Sequence, residues 1–126
     1  MIKVEQKAEN IYEGIANMMA GAKDDYIQMS TSYGKKELQG YSKEQVDNWD
    51  HKTKITNGKK YIKVVKDNGV FCFIVKDDLQ YSKITKFKKG DILKAAGYNK
   101  PAMNQARGNI LTGNYAIQWT GPLYLK

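Results

Sequence analysis

The sequence holds a single cysteine, Cys72, a single histidine, His51, a single arginine, Arg107, and two prolines. One cysteine excludes an internal disulfide. With one histidine and one cysteine, no cluster of zinc-ligand spacing is possible. Cys72 sits inside the apolar run VFCFIV, so it reads as a buried, inert thiol and not as a nucleophile served by His51. That run is also the longest apolar stretch, far too short to span a bilayer. The opening stretch MIKVEQKAEN lacks the apolar segment of a signal peptide. The expected location is therefore a cytoplasm, with no membrane partner. Glycine-rich phosphate fingerprints are missing. The acid pairs Asp24-Asp25 and Asp77-Asp78 are sequence neighbours whose side chains diverge in a strand or loop, so neither makes an acid/base pair. Asp67-Asn68-Gly69 reads as a turn, not a calcium loop, because the other oxygen ligands are missing. No catalytic residue, metal or cofactor is expected.

What the chain does have is an uneven distribution of charge. Residues 1–57 carry 8 lysines against 9 acids, and residues 58–126 carry 13 Lys and Arg against 4 aspartates, so the net +8 lies entirely in the second half. Such asymmetry points to a polyanionic partner, nucleic acid first. Lysine supplies nearly all of it, whereas base-reading interfaces lean on the arginine fork that fits guanine. A lysine-rich surface that serves solubility is the plain alternative.

Local patterns divide the chain in the same place. Val4, Ala8, Ile11, Ile15, Met18 and Ala22 recur at helical spacing, which predicts a helix over residues 4–22 ended by Gly21. Tyr26, Met29 and Tyr33 predict a second helix over 24–38. Ser42 and Gln45 form a capping-box pattern, with Tyr41 and Val46 as its hydrophobic staple, and predict a third helix over 42–53. The period then changes to two. Asn68-Gly69 predicts a tight hairpin in which Asp67 pairs Val70, Lys66 pairs Phe71 and Val64 pairs Phe73. This register puts Ile62, Val64, Phe71, Phe73 and Val75 on the face toward the helices. It puts Tyr61, Lys63, Val65, Cys72, Ile74 and Lys76 on the other. A short strand over 82–87 and a last strand over 115–119 follow, then a Gly121-Pro122 break and an apolar tail.

Between those strands lies GDILKAAGYNKPAMNQARGNIL, residues 90–111. Asp91 as N-cap, Gly97 and Gly108 as terminators and Pro101 in a first turn predict two short helices. Ala96, Gly97, Tyr98, Met103 and Ala106 fill positions of a DNA-reading helix-turn-helix, with Lys100, Asn104, Gln105 and Arg107 facing outward. Leu93 stands where the helix crossing wants a small residue, and Gly108 leaves the second helix short. A structural corner is the stronger reading, with those four side chains on one exposed edge.

The segment KFKKGDILKAAGYNKPAMNQARGNIL, with IQWTGPLYL after it and GKKYIKVVKDNGVFCFIV before it, resembles the C-terminal part of small proteins encoded by marine tailed bacteriophages. The resemblance covers about half the chain, from Gly58 onward, and its core is Pro101, Ala102, Asn104, Ala106, Arg107, Gly108 and Asn109. It implies an origin, not an activity.

The expected fold is a single α+β domain over residues 1–126: N-terminal helices packed on a small antiparallel sheet, with two short helices before the last strand. The expected function is a non-catalytic phage accessory protein that binds nucleic acid through Lys86, Lys88, Lys89, Lys94, Lys100, Asn104, Gln105 and Arg107 in the host cytoplasm. The competing reading is an interaction or virion-associated protein that uses its N-terminal helices to bind itself or another phage or host protein. Exposed aromatics among Tyr81, Phe87, Tyr98 and Tyr124 on the lysine-rich face favour single-stranded nucleic acid, because bases stack on them. An apolar patch on the helices favours oligomerisation.

Overall fold

The computed structural model describes residues 1–123; Tyr124 and the rest of the expected apolar tail lie outside the described residues. The chain opens with strand β1 (Ile2–Val4), where a helix was expected. The helix starts later. Asn10 is extended, and its side-chain oxygen accepts from the Glu13 N–H at 2.8 Å, which satisfies one of the free donors of a first turn. Helix α1 (Ile11–Ser30) then runs through Gly21 without a break and absorbs the front of the expected second helix. It stops where Ser32, Tyr33 and Gly34 all take positive φ.

Gly21 belongs inside the helix for a packing reason. A Cβ there would stand 2.7 Å from Val4 Cγ2, and one on Gly14 would stand 2.8 Å from both Ile110 Cβ and the Ile110 carbonyl oxygen. At both glycines α1 lies too close to a neighbour to leave room for a Cβ.

Helix α2 (Gly40–Asp47) starts two residues before the predicted cap, and its N-cap Gln39 makes no side-chain capping bond. Tyr41 is exposed, so there is no staple, while Gln45 is buried and Trp49, just past the helix, is almost completely enclosed. Strand β2 (Thr53–Asn57) replaces the expected end of a third helix.

Strands β3 (Tyr61–Lys66) and β4 (Gly69–Val75) form the predicted hairpin out of the predicted register, by two residues beside the turn and by one beyond a bulge. Lys66 pairs with Gly69, leaving Asp67-Asn68 as the loop, with Asp67 at φ 57. A bulge follows: Val65 pairs Val70, but Val64 pairs Cys72. This one-residue slip exchanges the faces of the outer half of β4. Ile62, Val64, Cys72 and Ile74 face α1; Tyr61, Phe73 and Val75 face away. Phe71, displaced by the bulge, still joins the helix side. The expectation of Phe73 and Val75 inward and Cys72 and Ile74 outward is therefore corrected.

Strands β5 (Leu79–Gln80) and β6 (Lys86–Phe87) make a small hairpin where one strand over 82–87 was expected. After them come β7 (Ile92–Leu93), β8 (Ala95–Gly97) and β9 (Lys100–Pro101), then β10 (Tyr115–Gln118) and β11 (Gly121–Pro122). The two short helices do not form. Their backbone bonds go to remote partners: Ile92 N–H to the Gly108 carbonyl at 2.8 Å, Arg107 N–H to the Ile92 carbonyl at 2.8 Å, Ala102 N–H to the Lys94 carbonyl at 2.7 Å. Strand β4 is apolar on both faces and needs a neighbour on its free edge. Ile92 and Leu93 supply it, pairing Ile74 and Phe73. That tertiary demand overrides local helix propensity. Gly121-Pro122, expected as a break, pairs back onto β10.

Among the described residues four small antiparallel sheets result: β1-β10-β11, β2-β3-β4-β7, β5-β6 and β8-β9. The layout of N-terminal helices stacked on one sheet is thereby overturned. One long helix lies against parts of two sheets, and the four-stranded sheet is covered on both faces. The main core joins Ile15, Met18, Met19 and Ala22 of α1 to Ile62, Val64, Cys72, Ile74, Ile92 and Ile117. The second core is Phe73, Val75, Phe87 and Leu93, closed over by Leu79, Ala95, Met103 and Ala106. Each such buried side chain contributes roughly 1.5–3 kcal/mol, so the second core is what holds the basic loops in place.

Candidate nucleic-acid interface

The face of the four-stranded sheet turned away from α1 carries most of the residues singled out from the sequence. The β5-β6 hairpin fixes the first group. Leu79 pairs Phe87 and Gln80 pairs Lys86, and Phe87 points into the second core. With Phe87 inward, the two-residue period of the strand sends Lys86 outward, and Lys88 follows it beyond the strand end; both are exposed. The tip is closed by Tyr81 N–H to the Thr85 carbonyl at 2.9 Å and Thr85 N–H to the Ser82 hydroxyl at 3.0 Å. Tyr81 is 56% exposed and its ring centre lies 6.4 Å from that of Phe87.

Two aspartates shape the turn that follows, and they do so through backbone. Asp78 accepts the Lys89 N–H at 2.8 Å, and Asp91 accepts the Lys88 N–H at 2.8 Å. Asp91, expected as a helix N-cap, caps this turn instead. The side chains of Lys88 and Lys89 stay exposed. Among the described residues the ion pairs use the N-terminal amine, Lys43, Lys52 and Lys66, and none uses Lys86, Lys88 or Lys89.

A cleft of about 310 Å³, lined by Asp78, Leu79, Gln80, Lys86, Phe87 and Lys88, adjoins a second of about 160 Å³, lined by Lys59, Lys60, Asp77, Asp78 and Leu79. Lys59 and Lys60 thus stand across Asp78-Leu79 from Lys86 and Lys88. The Lys76 ammonium fixes their turn by donating to the Gly58 carbonyl at 3.0 Å. Sequence reasoning missed these two lysines. The signal was present in Asn57-Gly58, the same dipeptide that marked the other hairpin; it closes the β2-β3 turn, with Gly58 N–H to the Tyr61 carbonyl at 2.9 Å.

The second group is more dispersed. Lys100 is exposed in the β8-β9 hairpin, opposite Gly97. Asn104 and Gln105 are exposed in the loop that covers the second core. Arg107 runs beside β7, half-buried; its Nη1 donates to the Gln105 carbonyl at 3.0 Å, and burial lowers its pKa from the usual arginine range. Lys94 is directed at the Pro122 carbonyl, 3.1 Å away, and burial followed by the Arg107 charge lowers its pKa. Lys94 therefore ties β7 to β11. Tyr98 is 58% exposed, but the Lys63 ammonium lies 4.1 Å from its ring centre and also binds Asn99 Oδ1. Phe87 is buried, and Tyr81 and Tyr98 are about equally exposed, with a lysine ammonium over the Tyr98 ring.

Elsewhere the chemistry is closed. Cys72 is fully buried against Met18, and burial raises its thiol pKa far above the ordinary value, whereas His51 lies exposed in a turn. No three His, Cys, Asp or Glu side chains among the described residues group to hold a metal ion. No helix among them is long and apolar enough to cross a membrane. Scans of protein-family models, of curated proteins and of solved structures each gave no match to this chain.

Proposed function

We propose that this protein is a non-catalytic, phage-encoded accessory protein that binds nucleic acid through the phosphate backbone, at the surface shared by the β5-β6 hairpin and the Lys59-Lys60 turn. One observation carries this reading. Lys86 and Lys88 stand exposed on either side of a buried Phe87 in one cleft, Lys59 and Lys60 line a second that shares Asp78 and Leu79 with it, and the exposed ring of Tyr81 lies by Phe87. Lysine ammonium groups are point charges suited to phosphate and carry little base information. An exposed tyrosine next to them offers a stacking platform for an unpaired base. The combination favours single strands over duplexes and sequence tolerance over sequence reading.

The chemistry fits the charge map of the whole chain, since the near-neutral half supplies the long helix and the basic half supplies this surface. Asp77 and Asp78 sit in the same cleft and set its limit, because they oppose a phosphate placed deep inside it. The backbone of the nucleic acid is therefore placed over the rim, on the ammonium groups. Fluorescence-anisotropy titrations of labelled single-stranded DNA, duplex DNA and RNA at low salt test the reading. Tightest binding to the single strands supports it; no binding to any of the three at low salt overturns it.

A further inference from the structure

The second core covers only part of the sheet face turned away from α1. One row of paired residues crosses that face: Thr56, Lys63, Phe73 and Leu93. Phe73 and Leu93 lie within the second core, whereas Lys63 is half-buried and Thr56 exposed. Lys54, paired with Val65, is exposed on the same face. The cover ends with the β8-β9 hairpin, whose turn brings Tyr98 and Asn99 to β3. The Lys63 ammonium lies 4.1 Å from the Tyr98 ring centre and donates to Asn99 Oδ1. It takes one face of the ring, and Tyr98 remains 58% exposed. An open cleft of about 250 Å³, lined by Val70, Ala95, Ala96, Gly97 and Tyr98, adjoins the ring.

This ring is connected to the β5-β6 hairpin. Tyr61 stands two residues before Lys63 on β3, so it shares the face and lies about 7 Å along the strand. Its ring meets Phe73 edge-on, with centres 6.2 Å apart, and its hydroxyl donates to Met103 Sδ at 3.4 Å. Burial, then the nearby Tyr81 phenol, raises the Tyr61 pKa. Tyr81, Tyr61, Lys63 and Tyr98 therefore follow one another across the face. The charge on this part of the surface has one sign. Strands β2 and β3 and residues 92–107 contain no aspartate or glutamate.

We propose that Tyr98 is a second base-stacking platform, and that a single strand held at the β5-β6 hairpin continues along β3 to reach it. One base rests on the Tyr98 ring beside the apolar 95–98 cleft, and its phosphate lies toward Lys63. The proposal rests on the nucleic-acid reading above and gives that site a direction and a far end. Cations that track a backbone, set between rings that take bases, are the means by which single strands are bound without reading sequence. Lys63 serves the platform in a second way: its ammonium, over the ring and bonded to Asn99, holds the exposed side chain in place by a cation–π contact. A duplex keeps its bases stacked inside and can use neither Tyr81 nor Tyr98.

Anisotropy titrations of the full chain with a labelled oligothymidylate of about twelve nucleotides, long enough for a site of this kind, test the proposal. Tyr98→Ala, at an exposed position, is expected to keep the wild-type circular dichroism spectrum and to weaken binding about tenfold, as loss of one stacked base does. Tyr98→Phe keeps the ring and is expected to bind like the wild type. An iodouracil-bearing oligothymidylate, irradiated on the protein and mapped by peptide mass spectrometry, is expected to cross-link at Tyr98 as well as at Tyr81. A Tyr98→Ala variant of wild-type affinity, with cross-links at Tyr81 alone, overturns the second platform and leaves the hairpin reading standing. Equal losses in Tyr98→Ala and Tyr98→Phe overturn the stacking role. A wild type that binds no single strand overturns this proposal together with the reading it rests on.

Discussion

The side-chain amide of Asn109 donates to the Asp91 carboxylate at 2.9 Å and, from the same nitrogen, to the Lys89 carbonyl at 2.9 Å. Its oxygen accepts from the Leu111 N–H at 2.8 Å. One side chain therefore clamps the lysine-bearing turn to the loop that leads into β10. Asn109→Ala is expected to cost about 1–3 kcal/mol, because several half-buried groups lose partners together. Chemical denaturation checks the value. Hydrogen exchange is expected to rise first at residues 88–91 and 109–113.

Gly14 and Gly21 make a contrary pair of predictions. On an isolated helix, Gly→Ala gains roughly 0.5–1 kcal/mol. In this fold a Cβ at Gly14 meets the Ile110 backbone oxygen at 2.8 Å, and one at Gly21 meets Val4 Cγ2 at 2.7 Å. Gly14→Ala is expected to be destabilising by about 1–3 kcal/mol, since a backbone atom has to move. Gly21→Ala is expected to cost less, since its neighbour is a side-chain methyl. Thermal unfolding of the two variants beside the wild type checks the order.

Alkaline pH exposes the buried thiol and phenol. Burial raises the pKa of Cys72 from its ordinary 9.0, and burial, then Cys72, raises that of Tyr115 from 10.0. Both are held neutral in the fold, so their contribution is complete below pH 9 and declines as pH rises. There the unfolded chain releases protons that the folded chain keeps. Stability is expected to fall by up to about 1.4 kcal/mol per pH unit for each group above its ordinary value. Melting temperatures followed from pH 8 upward check this. Cys72→Ala, although less stable at every pH, is expected to delay the onset of the decline.

Tyr81 separates single-strand from duplex binding. Tyr81→Ala is expected to weaken single-stranded DNA binding by about 1–3 kcal/mol, the worth of one stacked base. Duplex affinity, which rests on phosphate contacts, is expected to change little. Equal losses on both substrates contradict a stacking role.

The sequence announced the β3-β4 hairpin through Asn68-Gly69, the last strand through the alternation of Tyr115 and Ile117, and the basic half through its charge. It concealed the rest for physical reasons. Gly21 looked like a helix end because close helix–strand packing and helix termination both select glycine. Cys72 and Phe73 fell on exchanged faces because a bulge cannot be read from an alternation that is apolar throughout VFCFIV. Residues 90–111 carry good helix punctuation, yet their backbone partners are β4 and one another, far apart in sequence. The lysines of the proposed interface were half legible: the charge of the second half pointed to Lys86, Lys88 and Lys89, although Phe87, named as an aromatic that could be exposed, is buried. Lys59 and Lys60 needed the β2-β3 turn, which Asn57-Gly58 marked.

The salt dependence of binding tests the central claim most directly. Each phosphate contact contributes about 0.7 to the slope of log affinity against log salt for single strands. Lys86→Ala with Lys88→Ala is expected to reduce that slope by about 1.4 and to weaken binding to all sequences alike. The pair Lys100→Ala and Arg107→Ala, away from the hairpin, is expected to change it less. A slope that Lys86 and Lys88 leave unchanged contradicts the assignment of this hairpin as the nucleic-acid surface.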